Sequence, residues 1–561
     1  MKHPNPAIVA QSAVRRLPRW ALLLLCLSYV CAGFIGRDAW RSADVTALGF
    51  MGALARGESS WWSPTLLGWS PEMPAVLPYW LGAWALQLTP AGWPADFAVR
   101  VPFGLLLGLA LLASWYGTYY LARNPAAQPV AFAFGGEAQP TDYARAMADG
   151  GVLAFIACLG LAQLAHETTP ALAQLACSAL LFYGIAALPH RQWGPHLAIA
   201  VGVLGLSLSG APVLATLYLL GGSLIHGLER RSSEMPRRTT LTALLGYAAL
   251  AAAAAYALQL WRWKMEVPPL SWRSVDGFAQ LLIWFLWPAW PLALWTLWRW
   301  RWQLLSRQVH RHLVWPTWCA LVTVVATPLG SDPDRTLLLA LPALAALAAF
   351  ALPTLKRQVA ALIDWFTLLF FSGCGITIWV VWIAMQTGVP SQPAANVARL
   401  APGFQASFSL LTLAVALVAT LAWAWLVKWR VGRHRAAIWK SLVLPAGGAA
   451  LCWLLLMTLW MPLLNYAQSY RALVQQTGPL IAKTACVDAG DLQPVHLSAF
   501  QWYSDIRLVE GRGTSTCAWL LSEPGEDLEV RPSVDSTLWA PHTLLRHPVD
   551  RAEAVWLLRR R

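Results

Sequence analysis

Long apolar runs recur along almost the whole chain, and they limit the fold more than any other feature of the sequence. The 561 residues are 57% hydrophobic and only 12% charged, whereas an ordinary soluble domain has about 25% charged residues. A bilayer core requires about 20 apolar residues per helix, and by this criterion we expect about thirteen membrane-spanning helices. The predicted spans are 18–36, 98–121, 150–166, 169–188, 194–210, 212–227, 240–260, 275–298, 313–329, 336–353, 361–385, 407–427 and 441–463. The sequence therefore predicts an all-α, polytopic membrane protein.

The positive charges predict how the spans are oriented. Lysine and arginine gather in alternate loops, beginning with Arg15, Arg16 and Arg19 before the first span and reaching Lys428 after the twelfth. Such loops face the cytoplasm, so we expect a cytoplasmic N-terminus and, with an odd number of spans, a C-terminus outside. The same loops explain the net charge of +14 through contact with anionic membrane lipids. Because no basic stretch in a soluble segment is interleaved with stacking aromatic residues, we exclude nucleic acid as a partner.

Three segments outside the membrane are predicted to be large, and one of them, near residues 387–404, is irregular. The transmembrane part is predicted to cover residues 1–463 and to include a first outer segment at 37–97, whose amphipathic pieces indicate helices lying along the membrane surface. Residues 464–561 are predicted to form a small C-terminal domain of α/β type, because strand-like patterns occur at residues 495–497 and 516–521.

The two cysteines of the C-terminal domain differ from the others, most of which lie inside apolar runs. Cys486 and Cys517 are the only cysteines in this outer segment. Two cysteines in an oxidising compartment usually pair, so we predict a disulfide. The alternative is a pair of free thiols buried in a small core.

The first predicted span ends in a cluster of charges. Residues 36–44 are Gly-Arg-Asp-Ala-Trp-Arg-Ser-Ala-Asp. Asp38 and Arg41 are three residues apart and would share a face of a helix, and Asp44 follows. A carboxylate at this position can act as a base or hold a metal, while arginines hold phosphate. The alternative is an interfacial cap whose arginines face lipid headgroups.

Further polar groups fall at the outer ends of other spans. They are His166 and Glu167, the turn at residues 209–212, Asp332 and Arg335, and Glu72 in the first outer segment. Each one alone fits an interfacial cap. Together with the cluster at residues 36–44 they predict a polar ring on one membrane face, which suits a substrate with a lipid tail and a charged head.

The order of these motifs resembles that of the polytopic glycosyltransferases of the C superfamily (GT-C), and within it the group of protein O-mannosyltransferases and lipid A aminoarabinose transferases. Residues 36–41 match a Gly-Arg-Asp-Glu-x-Arg pattern, and residues 72–80 match Glu-Lys-Pro-Pro-Leu-x-Tyr-Trp loosely. Residues 98–102 match Ala-x-Arg-x-Pro, 209–212 answer a Thr-Lys-Gly-Pro turn, and 335–342 answer Arg-Tyr-x-Leu-Pro. The resemblance covers the membrane part and implies a GT-C-like bundle of helices with a large first periplasmic loop.

The chain departs from this pattern at informative positions. Ala39 replaces the second acid of the Asp-Glu pair, Met73 replaces a lysine, and the lysine of the Thr-Lys-Gly-Pro turn is missing. The pattern also has an acidic residue between spans three and four. In this chain Glu167 lies near that place but not at the same position. These departures weaken a metal site of paired acids, and they leave the donor phosphate to arginines, of which Arg41, Arg100 and Arg335 are the candidates.

The resemblance implies an inverting transfer of a sugar from a polyprenyl-phosphate donor to a lipid, glycan or protein acceptor on the periplasmic side of a bacterial inner membrane. Asp38 is then the candidate base or acceptor-orienting group, Asp44 and Glu72 are further catalytic candidates, and Glu167 and His166 are secondary or acceptor-binding candidates. No cofactor is certain, and a divalent metal is one option. Two alternatives stay open: a non-catalytic relative that binds lipid-linked glycan, and a transporter of such a glycan, which would be expected to show internal repeats and polar, broken spans.

Overall fold

The computed structural model describes residues 5–90, 92–229, 237–261, 271–431, 437–482, 485–511, 513 and 515–561. These residues are mostly helical, with one small sheet near the C-terminus. The α-helices are α1 Arg19–Ala32, α2 Arg41–Ala55, α3 Leu77–Leu88, α4 Ala95–Ala122, α5 Pro140–Ala157, α6 Leu161–Leu164, α7 Pro170–Ala187, α8 Trp193–Leu208, α9 Pro212–Leu228, α10 Arg237–Ala257, α11 Trp272–Phe285, α12 Ala289–Arg299, α13 Arg301–Leu304, α14 Arg311–Ala326, α15 Pro333–Leu337, α16 Leu341–Ala351, α17 Arg357–Thr387, α18 Ser391–Leu400, α19 Leu410–Val431, α20 Val443–Leu459, α21 Met461–Gln468, α22 Arg471–Gln475 and α23 Pro494–Tyr503.

The helix lengths confirm a multi-pass membrane protein. Among the described residues, eight helical segments are long and apolar enough to cross a bilayer, and α11 and α12 add a ninth if this pair, bent by 89°, is one span. Three shorter apolar helices, α1, α8 and α9, coincide with other predicted spans. The predicted number of thirteen spans is not confirmed by length alone.

The third predicted span differs most from the structure. The prediction begins at residue 150, whereas α5 runs from Pro140 to Ala157 and is followed, after a break, by the short α6. The part of α5 before residue 150 holds Asp142 and Asp149, and these polar residues conceal the start of the helix from a criterion based on apolar runs. Asp149 lies inside the helix because its carboxylate accepts a hydrogen bond from Trp115 Nε1 at 2.9 Å.

The first outer segment forms two helices that connect the bundle to the C-terminal domain. α2 packs against α3 on one side and α23 on the other, and α3 also contacts α4. The approach of α2 to α23 is close, because a Cβ added at Gly49 would lie only 2.0 Å from Ser498 Oγ. Glycine at this position therefore lets the C-terminal domain sit directly on the end of the bundle.

The C-terminal domain is built on a five-stranded sheet, as the sequence predicts for an α/β domain. The strands are β1 Cys486–Asp488, β2 Arg507–Val509, β3 Trp519–Ser522, β4 Trp539–Arg546 and β5 Ala554–Arg560, in the order β2-β1-β3-β5-β4. β1 is parallel to both β2 and β3, whereas β5 is antiparallel to β3 and β4.

Two sequence-based expectations about this domain have different outcomes. The strand-like pattern at residues 495–497 is wrong, since these residues belong to α23, which Pro494 begins at its first turn. Cys486 and Cys517 form a disulfide with Cα atoms 5.2 Å apart, which joins the start of β1 to the residues before β3.

Candidate functional site

The predicted polar groups meet at one end of the bundle, which we call the site face and define by residues 36–44, 166–169, 209–212 and 330–335. Asp38 and Arg41 do not share a helical face as expected, because α2 begins only at Arg41 and Asp38 lies in the segment before it. Trp40 caps α2 with an extended backbone. Arg37 and Asp44, rather than Asp38 and Arg41, therefore face each other across the start of α2.

A buried ion pair lies at the centre of the site face. Arg37 Nη2 is 3.3 Å from Asp44 Oδ2, and both side chains are buried. Asp44 Oδ1 accepts hydrogen bonds from the backbone N–H and the hydroxyl of Thr168 at 2.7 and 2.6 Å. Burial lowers the pKa of the Arg37 guanidinium, and the nearby carboxylate of Asp44 counters this effect. With these partners, Asp44 ties α2 to the loop before α7.

His166 supports the same centre. Its backbone oxygen accepts a hydrogen bond from Arg37 Nη1 at 3.0 Å, and its ring lies so close to Gly33 that an added Cβ would be 2.2 Å from the ring. Burial lowers the pKa of His166 to about 4. The imidazole is therefore neutral at pH 7 and acts as a packing and hydrogen-bonding group.

The Arg335 cluster consists of Arg335, Glu167 and Asp332. Arg335 Nη2 is 3.0 Å from Glu167 Oε2, and Nη1 is 3.1 Å from Asp332 Oδ1. The remaining nitrogen, Nε, is buried and has no hydrogen-bond partner among the described residues. Buried donors are usually satisfied, so this atom marks a place where a ligand oxygen would fit.

The Glu167 carboxyl is buried and is a weaker acid than an exposed glutamate. Burial raises the pKa of the Glu167 carboxyl to about 7, and Arg335 offsets part of this rise. A carboxyl that titrates near neutral pH in a cleft is a functional-site candidate. Glu167 can thus change its charge, and its hold on Arg335, within the physiological pH range.

The Arg471 cluster consists of Arg471, Asp38 and Asp96. Arg471 Nε and Nη2 each lie 2.9 Å from one carboxylate oxygen of Asp38, and Nη2 is also 3.3 Å from Asp96. The guanidinium lies over the ring of Tyr503, 4.7 Å from its centroid. Asp38 is held further by its backbone N–H, which donates to Asn465 Oδ1 at 3.0 Å. Two planar hydrogen bonds fix the orientation of the Asp38 carboxylate.

An open cleft lies beside the Arg335 cluster. Segments that are far apart in sequence line it, namely residues 72–74, 210–214, 260–261 and 330–332, together with Gln174 and Thr336. Glu72 and Asp332 bring carboxylates to its wall. The cleft therefore joins the three positions at which the sequence was compared with Glu-Lys-Pro-Pro, Thr-Lys-Gly-Pro and Arg-Tyr-x-Leu-Pro.

The residues that replace the missing lysines pack against each other in this cleft. Gln174 Nε2 donates to Met73 Sδ at 3.0 Å and to the backbone oxygen of Ser209 at 2.7 Å. Gly210 has a φ of +91°, and an added Cβ would be 2.7 Å from Pro74 O. The turn at Gly210 thus approaches the Met73 segment closely, with Gln174 joining the two.

The other two arginines predicted to hold phosphate have contrasting surroundings. Arg100, near the start of α4, is only 2% exposed, and its Nη2 has no hydrogen-bond partner among the described residues. Arg41 is exposed and donates from Nε to Gln468. Because Arg100 is buried and has a donor without a partner among the described residues, it is better suited than Arg41 to bind an anion.

The departures from the family pattern leave few groups for a metal. Ala39 is buried, its backbone N–H donates to Tyr503 Oη at 3.1 Å, and its methyl group offers no ligand atom to a metal. Among the described residues, no group of three or more His, Cys, Asp or Glu is arranged to hold a metal ion. We therefore derive no step through a metal.

Several residues of the site were not found by sequence reasoning. Gln174 had a signal, since it is a lone amide in the apolar α7, and polar groups inside spans are often functional. Arg471 and Asn465 had none, because their bonds to Asp38 join residues more than 400 positions apart.

Comparisons with known proteins address the fold. The chain resembles the crystal structure of ArnT from Cupriavidus metallidurans bound to undecaprenyl phosphate, with a TM-score of 0.59 and 13% identity over 96% of this chain and 97% of that one. The apo structure of the same ArnT gives a TM-score of 0.59 and 12% identity over 96% and 98%. No protein-family model and no curated protein sequence matches the chain. The chain therefore has a fold similar to that of ArnT, in keeping with the fold expected from the sequence motifs.

Proposed function

We propose that the protein is a membrane glycosyltransferase that moves a sugar from a polyprenyl phosphate to an acceptor at the site face. The observation that carries this proposal is the convergence of residues 72–74, 210–214 and 330–332 on one cleft. Two of these segments lie in motifs that resemble the GT-C group, and the third precedes the motif at 335–342, of which Thr336 lines the cleft. ArnT, which has a similar fold, has been crystallised with undecaprenyl phosphate. Polar groups at the end of an apolar bundle suit a donor that has a lipid tail and a phosphate head.

Arg335 is the proposed primary partner of the donor phosphate, with Arg100 second and Arg41 third. Within the part of the chain that the structure describes, Arg335 Nε beside the cleft and Arg100 Nη2 are buried and have no hydrogen-bond partner. A planar guanidinium can pair two phosphate oxygens at once. These arginines thereby replace the lysines that the chain lacks.

The reaction requires a carboxylate at the acceptor. The bond between sugar C1 and the phosphate oxygen breaks, the polyprenyl phosphate leaves with the electron pair, and a bond forms between C1 and the acceptor oxygen. The acceptor proton passes to a carboxylate, a step that contributes roughly 10²–10⁴-fold in rate. Asp38 is the proposed base or orienting group, since Arg471 fixes its carboxylate, while Glu72 in the cleft wall is the alternative. Asp44, which has several partners, positions Arg37 and the loop before α7.

The test of this proposal is the chemistry of cells that lack the protein. The native host is deleted for the gene, and its lipids and envelope glycans are compared with those of the parent by mass spectrometry. We expect one sugar to be missing, and to return with the wild-type chain or with Asp276→Asn, an exposed aspartate outside the site, but not with Asp38→Asn. An unchanged sugar composition in the deletion strain would leave a non-catalytic lipid-binding relative as the better account.

We further propose that the chain lies in a bacterial inner membrane with a cytoplasmic N-terminus and a periplasmic C-terminal domain. The alternation of basic loops supports this orientation, and so does the disulfide of Cys486 and Cys517, since disulfides persist in the periplasm. Alkaline phosphatase fused after Arg561 is expected to be active. An inactive fusion that is made in normal amounts would reverse the orientation.

A further inference from the structure

A second cavity lies in the C-terminal domain, at one end of its sheet, and we call it the sheet crevice. It is open to solvent and has a volume of about 760 Å³. Each of the three parallel strands delivers a residue to it from its carboxyl end: Asp491 follows β1, Glu510 follows β2, and Ser522 ends β3. The carboxyl ends of all three strands therefore lie at one opening.

The topology makes this opening a typical ligand position. β1 lies between β2 and β3 in the sheet, so the chain leaves β1 towards one edge and leaves β3 towards the other. In open sheets with parallel strands, ligands bind in the crevice outside the carboxyl ends, at the point where the connections diverge. Asp491 and Ser522 lie at that point, and the Ser522 hydroxyl donates to Asp491 Oδ1 at 2.9 Å.

The charged lining of the sheet crevice is mainly acidic. Asp491, Glu510 and Asp535 oppose Arg531 among the described residues, and Arg531 Nη1 is already 2.8 Å from Asp491 Oδ2. This charge disfavours an anionic ligand such as a phosphate headgroup. Carboxylate oxygens accept hydrogen bonds from hydroxyl and ammonium groups, so the lining favours a ligand that is rich in such donors.

An aromatic side chain of the first outer segment completes the crevice. Trp69 is 46% exposed and lies in the wall together with Leu67 and the half-exposed Leu538. The face of an indole ring is negatively polarised and attracts the positive edges of neighbouring groups, which include the C–H groups of a sugar ring. A pyranose presents a C–H face and hydroxyl groups at once, and both surfaces find partners here.

The sheet crevice is close to the cleft of the site face. Trp69 in the crevice and Glu72 in the cleft are three residues apart, so their Cα atoms are at most about 11 Å from each other. A ligand of a few sugar units could therefore be held in the crevice while one end reaches the cleft.

We infer that the sheet crevice binds a neutral or amino-bearing carbohydrate, and that it holds this carbohydrate as the acceptor. The position of the crevice at the strand ends, its acidic lining and the exposed Trp69 support the binding. The role as acceptor rests on the proposed function, and it narrows the acceptor from a lipid, glycan or protein to a glycan.

The experiment uses the full chain in lipid nanodiscs on an array of neutral, amino-bearing and acidic bacterial oligosaccharides, to which saccharides released from the envelope of the native host are added. We expect the wild type to bind neutral or amino-bearing glycans. Trp69→Ala should weaken this binding about tenfold, whereas Trp69→Phe should retain most of it. Trp62→Ala is the matched control, because Trp62 belongs to the same segment and is 67% exposed but lies outside the crevice.

Several results would overturn the inference. They are the absence of glycan binding by the wild type, a preference for acidic glycans, or equal binding by wild type and Trp69→Ala. Arg335→Ala should bind glycans normally, because it alters only the donor side. Glycan binding in a protein whose deletion removes no sugar would refute the acceptor role and the proposed transfer, whereas sugar loss on deletion without glycan binding would refute this inference alone.

Discussion

The Arg335 cluster and the Arg471 cluster lie at the same end of the bundle and contain the same groups, one arginine and two carboxylates, yet their arginines are in different states. Arg471 places Nε and Nη2 on the two oxygens of Asp38. Arg335 pairs with Glu167 and Asp332 through its two terminal nitrogens, and its Nε is buried without a partner among the described residues.

This difference separates two uses of one side chain. An arginine whose donors meet a carboxylate in a planar fork fixes that carboxylate, so the Arg471 cluster positions Asp38 and joins α22 to the first outer segment. An arginine with a buried unused donor beside an open cleft has capacity for a ligand. We therefore assign positioning to the Arg471 cluster and donor binding to the Arg335 cluster.

The largest effect is expected for Asp38→Asn. The amide keeps the shape of the side chain but cannot take a proton, so transfer should fall by roughly 10²–10⁴-fold while the affinity for polyprenyl phosphate changes little. The measurement is sugar transfer to native-host acceptors by purified protein, with thermal unfolding as the control for folding. Transfer at the parental rate would show that Asp38 is only an interfacial cap and has no role in the reaction.

A smaller effect is expected for Arg471→Ala. Without its partner the Asp38 carboxylate loses its fixed orientation, so kcat should fall by about tenfold, in keeping with a positioning residue. The affinity for the donor should stay the same, and Arg471→Lys should restore only part of the rate because an ammonium cannot pair two oxygens in a plane. A loss of donor affinity instead of kcat would erase the distinction between the two clusters.

The pH dependence of donor binding tests the Arg335 cluster. Since burial raises the pKa of Glu167 to about 7, its carboxyl is ionised above that pH and holds Arg335, whereas below it the neutral carboxyl releases Arg335. As the pH falls from about 8 to about 6, the affinity for polyprenyl phosphate should therefore rise several-fold.

Glu167→Gln is the control for this pH effect. It should bind the lipid with similar affinity at both pH values, apart from the titration of the phosphate itself, which occurs near pH 6 in both proteins. An identical pH profile in wild type and Glu167→Gln would show that Glu167 does not gate Arg335.

The smallest effect is expected for Met73→Lys, which places the lysine of the Glu-Lys-Pro-Pro pattern in the cleft wall. One additional charge-assisted contact to phosphate should raise donor affinity by about tenfold or less. Gln174→Ala removes the amide that contacts Met73 and serves as the neighbouring control. Unchanged or weaker binding by Met73→Lys would indicate that the phosphate does not reach this wall.

The sequence was sufficient for the fold class because apolar runs report membrane helices directly, and it failed where polar residues extend a helix. The first half of α5 was missed for this reason. The strand expected at residues 495–497 is helical because Pro494 and packing against α2 override local strand preference.

The candidate site was predictable only in part. Motif order pointed to Glu72, Arg335 and the turn at Gly210, which the structure brings to or beside one cleft. It did not indicate that Asp38 faces Arg471, since a pair separated by 433 residues leaves no local pattern. Likewise, the burial that changes the acidity of Glu167 depends on helices that pack around it from elsewhere in the chain.

The most direct test of the account compares polyprenyl phosphate binding by three proteins in nanodiscs. The wild type, Arg335→Ala and Arg471→Ala are titrated with undecaprenyl phosphate, with phosphatidylglycerol as the competing anionic lipid. We predict saturable, preferential binding by the wild type, a loss of about tenfold or more in Arg335→Ala, and little change in Arg471→Ala. Wild-type binding without preference over phosphatidylglycerol, or equal losses in both variants, would contradict the assignment of Arg335 to the donor phosphate.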